Sequence, residues 1–306
     1  MFGLLLPSAA AAVAVLERID DRIGSAEELE EASGLSTLGI IPKVDSQTSV
    51  MDELANHRSA LCEAYRSLCT ALQFSTENGL PKTLSITSAT PAEGKSLTSL
   101  AIAKHFASLG LKVLVVDADL RNPSLHEKLQ HDNSIGLSNY LTGACGTPEA
   151  IKPTNFPNLS LITSGPLPPN AAELLGSSRL LSLLSIGSEV FDLIVIDGPP
   201  VMGLADAQLL SSAVAATVFI VGAGQVGARL IRGALKRLQL ARGPVIGAVL
   251  TKLDTRTAGY GYGYGYGYGY GYGYGYGYGN HGKTSGHSAI DSRDRKQQLT
   301  NPHENG

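Results

Sequence analysis

The stretch Thr83–Ser96, TLSITSATPAEGKS, runs an apolar β-type segment directly into a phosphate-binding loop, with helix-forming sequence behind it. Few folds accept that order. The loop must sit at the carboxyl end of a buried strand, where the first turn of the next helix offers unpaired N–H groups and a positive dipole end to an anion. ATPAEGKS has the Walker A spacing with one departure, Ala89 in place of the first glycine. Gly94 lets the backbone approach phosphate. Lys95 is the candidate to hold the terminal phosphates and Ser96 the candidate Mg²⁺ ligand. The cradle is expected from Ala92, Glu93, Gly94, Lys95, Ser96 and Leu97.

The rest of the pattern agrees with this loop. Strand-like segments lie at 83–89, 112–119, 159–163, 191–197, 217–221 and 245–250, several of them continuous apolar runs such as LIVI, and helical segments at 95–109, 170–186 and 228–240 separate them. Continuous apolar strands describe parallel strands covered on both faces. Right-handed crossovers then give an α/β, doubly wound, mainly parallel sheet, with ligands bound beyond the carboxyl ends of the strands. Upstream, Ser25 and Glu28 form a capping-box pair opening AEELEEAS, which stops at Gly34. LSTLGIIP (35–42) reads as extended, and 51–74 reads as one helix from its spacing of Leu54, Leu61, Tyr65, Leu68 and Leu72. The expected organisation is an apolar or juxtamembrane segment 1–24, a helical lead-in 25–81, a nucleotide-binding domain 82–257 and a polar tail 258–306.

Acidic residues fall at the strand ends. Asp117 and Asp119 close VLVVDAD, and Asp197 closes FDLIVID as a Walker B acid does. Strand alternation predicts that Asp117 and Asp119 share a side. With Ser96, these three are the candidate Mg²⁺ ligands, direct or through water. Arg121 is placed either for phosphate or for a neighbouring carboxylate. Thr251, Lys252 and Asp254, in TKLD, follow the last strand where nucleotide-binding folds often read a base; a solvated loop is the other reading.

The formal net charge of −3 gives no basic excess, so a nucleic-acid partner is not expected. Cys62, Cys69 and Cys145 show no metal-site spacing and read as reduced thiols. Residues 2–16, FGLLLPSAAAAVAVL, carry no charge but are short for a full span. They suit the end of a membrane helix, an interfacial segment or a helix packed on the domain. Between Gly259 and Gly279 the chain alternates Gly and Tyr, with Tyr260, Tyr262, Tyr264, Tyr266, Tyr268, Tyr270, Tyr272, Tyr274, Tyr276 and Tyr278. With no aliphatic face to bury, this tail is expected to be disordered. It suits either phosphorylation or self-association through stacking.

ATPAEGKS, VLVVDADLRNPSLH and FDLIVIDGPPV together resemble the bacterial tyrosine kinases of exopolysaccharide and capsule synthesis, over about residues 26–254. The resemblance implies a P-loop NTPase fold of the MinD/ParA-like class. It implies ATP and Mg²⁺ bound by Lys95, Ser96, Asp117, Asp119 and Asp197, with Asp117 acting on the incoming tyrosine hydroxyl, so that Lys95, Asp117 and Asp119 are the catalytic candidates. The tail tyrosines become the targets. A homo-oligomer, a membrane activator or polysaccharide co-polymerase subunit, a resetting tyrosine phosphatase and a place on the cytoplasmic face of the inner membrane are implied as well. Three departures stand out. Glu63 and Arg66 match the family's ring-forming helix motif, but Cys69 replaces its second arginine and is expected to weaken assembly. The family's large periplasmic region is absent from this sequence. Thr251 stands where relatives tend to carry Asn near the base. Two other functions share these features: a catalytically weak export subunit, and a partitioning-type ATPase switch. The switch is disfavoured because Thr90 replaces its signature lysine.

Overall fold

The structure is a computed structural model and describes residues 21–45 and 47–254. The apolar stretch 2–16 and the ten tail tyrosines, with the expectations attached to them, lie outside those residues. In chain order the elements are α1 (Ala26–Ser33), β1 (Thr37–Pro42), α2 (Val50–Ala55), α3 (Ala60–Gln73), β2 (Thr83–Ser88), α4 (Lys95–Ser108), β3 (Val113–Asp117), α5 (Leu125–Lys128), α6 (Leu137–Thr142), α7 (Thr147–Ala150), β4 (Lys152–Pro153), β5 (Leu159–Ile162), α8 (Ala171–Leu175), α9 (Ser178–Val190), β6 (Leu193–Asp197), α10 (Asp206–Ala213), β7 (Ala216–Gly222), α11 (Ala228–Leu240) and β8 (Val245–Leu253).

The strands form one sheet in the order β1-β8-β7-β2-β6-β3-β5-β4. Every pairing is parallel except β4 with β5. Successive strand residues feed different cores. Leu84, Ile86, Val113, Val115, Leu193, Val195, Val218 and Ile220 meet α3 and α4 on one face. On the other face Leu114, Val116, Ile194 and Ile196 meet the Leu180 and Leu184 side of α9. Phe219, Val221 and Leu250 meet Leu29 of α1 and Ile231 and Leu238 of α11. Burial on both faces is why the strands read as unbroken apolar runs. Strand β2 breaks the pattern with Thr87, whose buried hydroxyl donates to the Pro199 carbonyl at 2.7 Å.

The lead-in is built into the sheet, because β1 pairs with β8 at its edge. The expected cap of α1 is present: Ser25 Oγ accepts from Glu28 N at 3.2 Å, and Gly34 follows in the left-handed region at φ 69°. The single helix predicted over 51–74 is instead two. The chain leaves helical geometry at Asn56 and restarts at Ser59, whose Oγ accepts from Cys62 N at 2.9 Å. A polar run, NHRS, interrupts the apolar spacing there, and its side chains bond the local backbone.

Helix α3 places Cys69 on a different face from Glu63 and Arg66. Leu61, Tyr65, Leu68, Cys69 and Leu72 form its buried stripe, while Glu63 and Arg66 pair with each other on the exposed face. Cys69 is fully buried, and burial pushes its thiol far above the usual range. It does not stand in an exposed row with Glu63 and Arg66. No helix among the described residues is long and apolar enough to cross a membrane.

Candidate active site

The loop between β2 and α4 is held from behind by contacts the sequence does not reveal. Glu93 is fully buried. Its Oε1 accepts from the backbone N–H and hydroxyl of Thr90, and its Oε2 accepts from Gly222 N at 3.0 Å. Burial raises its carboxyl above the ordinary value, and those hydrogen bonds and the nearby Lys95 charge oppose the rise. Thr251 Oγ1 donates to the Glu93 carbonyl, and Lys252 Nζ donates to the Ala92 carbonyl. Gly94, at φ 97°, lies against Thr251; a Cβ there would come 3.3 Å from Thr251 Oγ1. Only glycine takes this conformation without cost. Helix α4 starts immediately afterwards, with Thr98 N bonded to the Gly94 carbonyl at 3.0 Å.

In front of the loop lies a cleft of about 640 Å³. Ala92, Gly94, Lys95, Ser96 and Leu97 line it from the loop, Asp119, Arg121 and Asn122 from the turn after β3, and Lys252 from the end of β8. Among the residues expected around a nucleotide, Glu93 and Thr251 do not line this cleft. The Glu93 carboxylate and the Thr251 hydroxyl are buried behind the loop and spent on it.

Asp117 and Asp197 lie directly opposite each other in the β3–β6 register. Both are buried, one layer beneath the cleft. Asp117 Oδ2 accepts from the backbone N–H groups of Ser124 (3.0 Å) and Leu125 (2.9 Å), and Asp197 Oδ1 accepts from Ser99 Oγ at 3.1 Å. The nearby Ser96 hydroxyl favours the ionised form of Asp197. The remaining oxygens, Asp117 Oδ1 and Asp197 Oδ2, are buried without a protein partner. Desolvation, with the Asp119 charge adding to it, pushes Asp117 up from 3.8 to about 6; desolvation, with the Asp117 charge adding to it, pushes Asp197 up to about 7. Two buried carboxylates with an open oxygen apiece, beside a lysine and a serine hydroxyl, fit a divalent cation. The described carboxylates form no closed metal cage. That is the ordinary state for Mg²⁺, which takes one or two carboxylates and completes its shell with phosphate and water.

Asp119 does not share a strand face with Asp117, as alternation predicted. Strand β3 ends at Asp117. Asp119 sits in the following turn, where Oδ1 accepts from Asn122 N at 3.0 Å and more weakly from Arg121 N. Burial raises its carboxyl, and Lys95 offsets part of the rise. Arg121 pairs with a carboxylate: Nε reaches Asp206 Oδ2 at 2.7 Å and Nη2 reaches Oδ1 at 3.3 Å, while its side chain still borders the cleft.

Sequence reasoning missed Ser99, Asp206 and the bracing role of Glu93. Ser99 had a signal, since it stands one helical turn after Lys95 on the helix face beneath the loop. Asp206 had none, because its partner is 85 residues away.

Comparison with known proteins places these features together. Residues 82–228 match the family described as AAA domain. The chain is 34% identical over 193 residues to tyrosine-protein kinase YwqD of Bacillus subtilis (strain 168), covering 63% of this chain and 81% of that protein. It is 35% identical over 196 residues to the putative tyrosine-protein kinase CapB of Staphylococcus aureus, covering 64% and 86%. Among solved structures, the kinase domain of Escherichia coli tyrosine kinase ETK superposes with a TM-score of 0.71 at 31% identity, covering 79% of this chain and 99% of that one.

Proposed function

The chain belongs to the bacterial tyrosine-protein kinases, and on that premise we propose that it transfers phosphate from ATP to the tyrosines of its own Gly-Tyr tail, in the service of exopolysaccharide or capsule synthesis and export. The observation that carries this reading is the pair of open, buried oxygens on Asp117 and Asp197 beside Lys95 and Ser96.

The residues divide the work as follows. Loop N–H groups from Ala92 to Leu97 and the Lys95 ammonium hold the β- and γ-phosphates. Ser96, Asp119 and Asp197, with Asp117 adjoining, would hold Mg²⁺, which would neutralise charge on the transferring phosphoryl group. Asp117 acts on the tyrosine hydroxyl as base or orienting group. Thr251 and Glu93 keep the loop in shape, and Arg121 borders the cleft under the control of Asp206. Positioning and charge neutralisation are most of what phosphoryl transfer requires.

The tail supplies Tyr260 to Tyr278 as acceptors. Full modification adds about −1.5 to −2 charges per tyrosine, a large electrostatic change. Asp254 to Tyr260 spans at most about 20 Å, so the distal tyrosines have the reach to enter a neighbouring subunit, and transfer runs between chains. A homo-oligomer using Glu63 and Arg66, a membrane co-polymerase partner, a phosphatase that resets the tail and a position at the cytoplasmic face of the inner membrane complete the proposal.

The test mixes two chains with ATP and Mg²⁺: Lys95→Met with an intact tail, and an active chain whose ten tail tyrosines are all Phe. Phosphotyrosine on the Lys95→Met chain is expected. If it stays unlabelled while wild type labels at a concentration-independent rate, transfer is within one chain. If wild type labels equally well with all ten tyrosines replaced, the tail is not the substrate.

A further inference from the structure

Helix α11 covers the β7–β8 end of the sheet with one face and presents the other to solvent. Its thirteen residues, ARLIRGALKRLQL, hold four basic side chains and no acidic one, in a chain whose overall charge is −3. The buried side is Ile231, Ala234 and Leu238. At 100° per residue, Arg229, Arg232 and Lys236 fall within one narrow stripe on the opposite side, with Arg237 beside it. All four are exposed, and none is in an ion pair with a described residue. Leu230 and Leu240 stand among them, 41% and 75% exposed. Glu27 and Glu31 are exposed on the adjacent α1, so the basic stripe is a local feature of α11.

The position of the stripe matters as much as its charge. Asp21, the first described residue, accepts from Ala228 N at 2.9 Å and contacts Arg229 N, tying the start of the folded body to the first turn of α11. Arg22 bridges to Gly227 next to it. The described chain therefore begins at the first turn of this basic helix, and the uncharged apolar sequence 2–16 precedes it by four residues.

We propose that the exposed face of α11 docks on an anionic lipid surface. The headgroups pair with Arg229, Arg232, Lys236 and Arg237, and Leu230 and Leu240 settle at the headgroup boundary. The apolar face of α11 stays in the protein core, so contact is electrostatic and peripheral, without helix insertion. Each Lys or Arg close to an anionic leaflet adds to binding independently, and the attraction fades within a Debye length. The proposal rests on the membrane-face location given above and adds the surface that makes contact.

The test uses the purified full chain and sedimentation with vesicles of phosphatidylcholine, alone or mixed with phosphatidylglycerol, at low and high salt. Wild type is expected to bind the mixed vesicles more tightly than the neutral ones, and less so at high salt. The combined R229E/R232E/K236E variant is expected to lose about a hundredfold in binding to the mixed vesicles. It should keep its autophosphorylation in free solution. R229K/R232K should bind as wild type does, and K112E, elsewhere on the surface, should change nothing. Charge reversal that leaves anionic-vesicle binding intact overturns the role of α11 while the membrane location stands. Equal binding of wild type to neutral and mixed vesicles also overturns it, because the apolar start then suffices. No vesicle binding by wild type removes the membrane location and this proposal together. If wild type without lipid captures a synthetic phosphorylated Gly-Tyr peptide, and the charge-reversed variant does not, while neither binds vesicles, the face serves an acidic polypeptide and the lipid assignment is wrong.

Discussion

Two acidic sites, one within the phosphate loop and one at the ends of β3 and β6, are equally buried and differently finished. Glu93, behind the loop, has both carboxylate oxygens occupied by Thr90 and Gly222. Asp117 and Asp197, beneath the cleft, each leave one buried oxygen without a partner. An unsatisfied buried acceptor costs roughly 1–3 kcal/mol, more when it is charged. A fold that satisfies one carboxylate fully and leaves the neighbouring pair open has separated a structural task from a chemical one. Substitutions on the two sides should therefore fail in different ways.

The largest effect is expected at the front of the loop. Lys95→Met should reduce phosphotyrosine at least about a hundredfold while the circular dichroism spectrum and melting temperature stay close to wild type. Normal labelling by a folded Lys95→Met protein would remove the site from this cleft.

Asp197→Asn should come next, lowering labelling about ten- to a hundredfold, as loss of a metal-supporting group does. Its stability should move the other way. Asp117 and Asp197 have folded pKa values raised above 3.8, to about 6 and about 7. The folded state thus holds their protons more tightly than the unfolded state. Their contribution favours folding at pH below about 4 and is lost as pH rises through about 7. In nucleotide-free protein, melting temperature against pH should fall over that window for wild type and be flatter for Asp197→Asn. At pH 8 the variant should melt higher, by about 2–4 °C for each kcal/mol of strain relieved. Parallel curves for the two proteins would mean that the pair carries no such strain.

Behind the loop the pattern should reverse. Glu93→Gln turns an amide N–H₂ toward backbone N–H donors, costing about 1–3 kcal/mol of stability in chemical denaturation; its loss of labelling should follow the loss of loop structure. Thr251→Val removes one buried hydroxyl donor, for about 0.5–1.5 kcal/mol. It should raise the KM for ATP modestly and leave kcat nearly unchanged, with Thr251→Ser close to wild type. A large kcat effect at Thr251 would blur the division between the two sides.

The same division explains what could be read from the sequence. The strands, the loop and helix α11 are local patterns, and the structure places α11 at 228–240, where the spacing put it. The placement of Lys95, Ser96, Asp117 and Asp197 at the carboxyl ends of β2, β3 and β6 was legible from the apolar runs that precede them. The brace behind the loop was not, since Glu93 meets Gly222 across 129 residues and Lys252 meets Ala92 across 160. Helices α5, α6 and α7 are four to six residues long, too short to show an apolar period. The burial of Cys69 could have been read from its neighbour Leu68, which marks the buried stripe of α3.

The most direct measurement is transfer of label from radioactive ATP to the tail tyrosines, with Mg²⁺ or with chelator, for wild type and for Asp117→Asn/Asp197→Asn. Label is expected on wild type with Mg²⁺ alone, and at background on the double variant even though that protein is folded and at least as stable as wild type. Wild-type labelling rates in the folded double variant, or undiminished labelling in chelator, would contradict the assignment of the open carboxylate pair as the cation seat of the kinase.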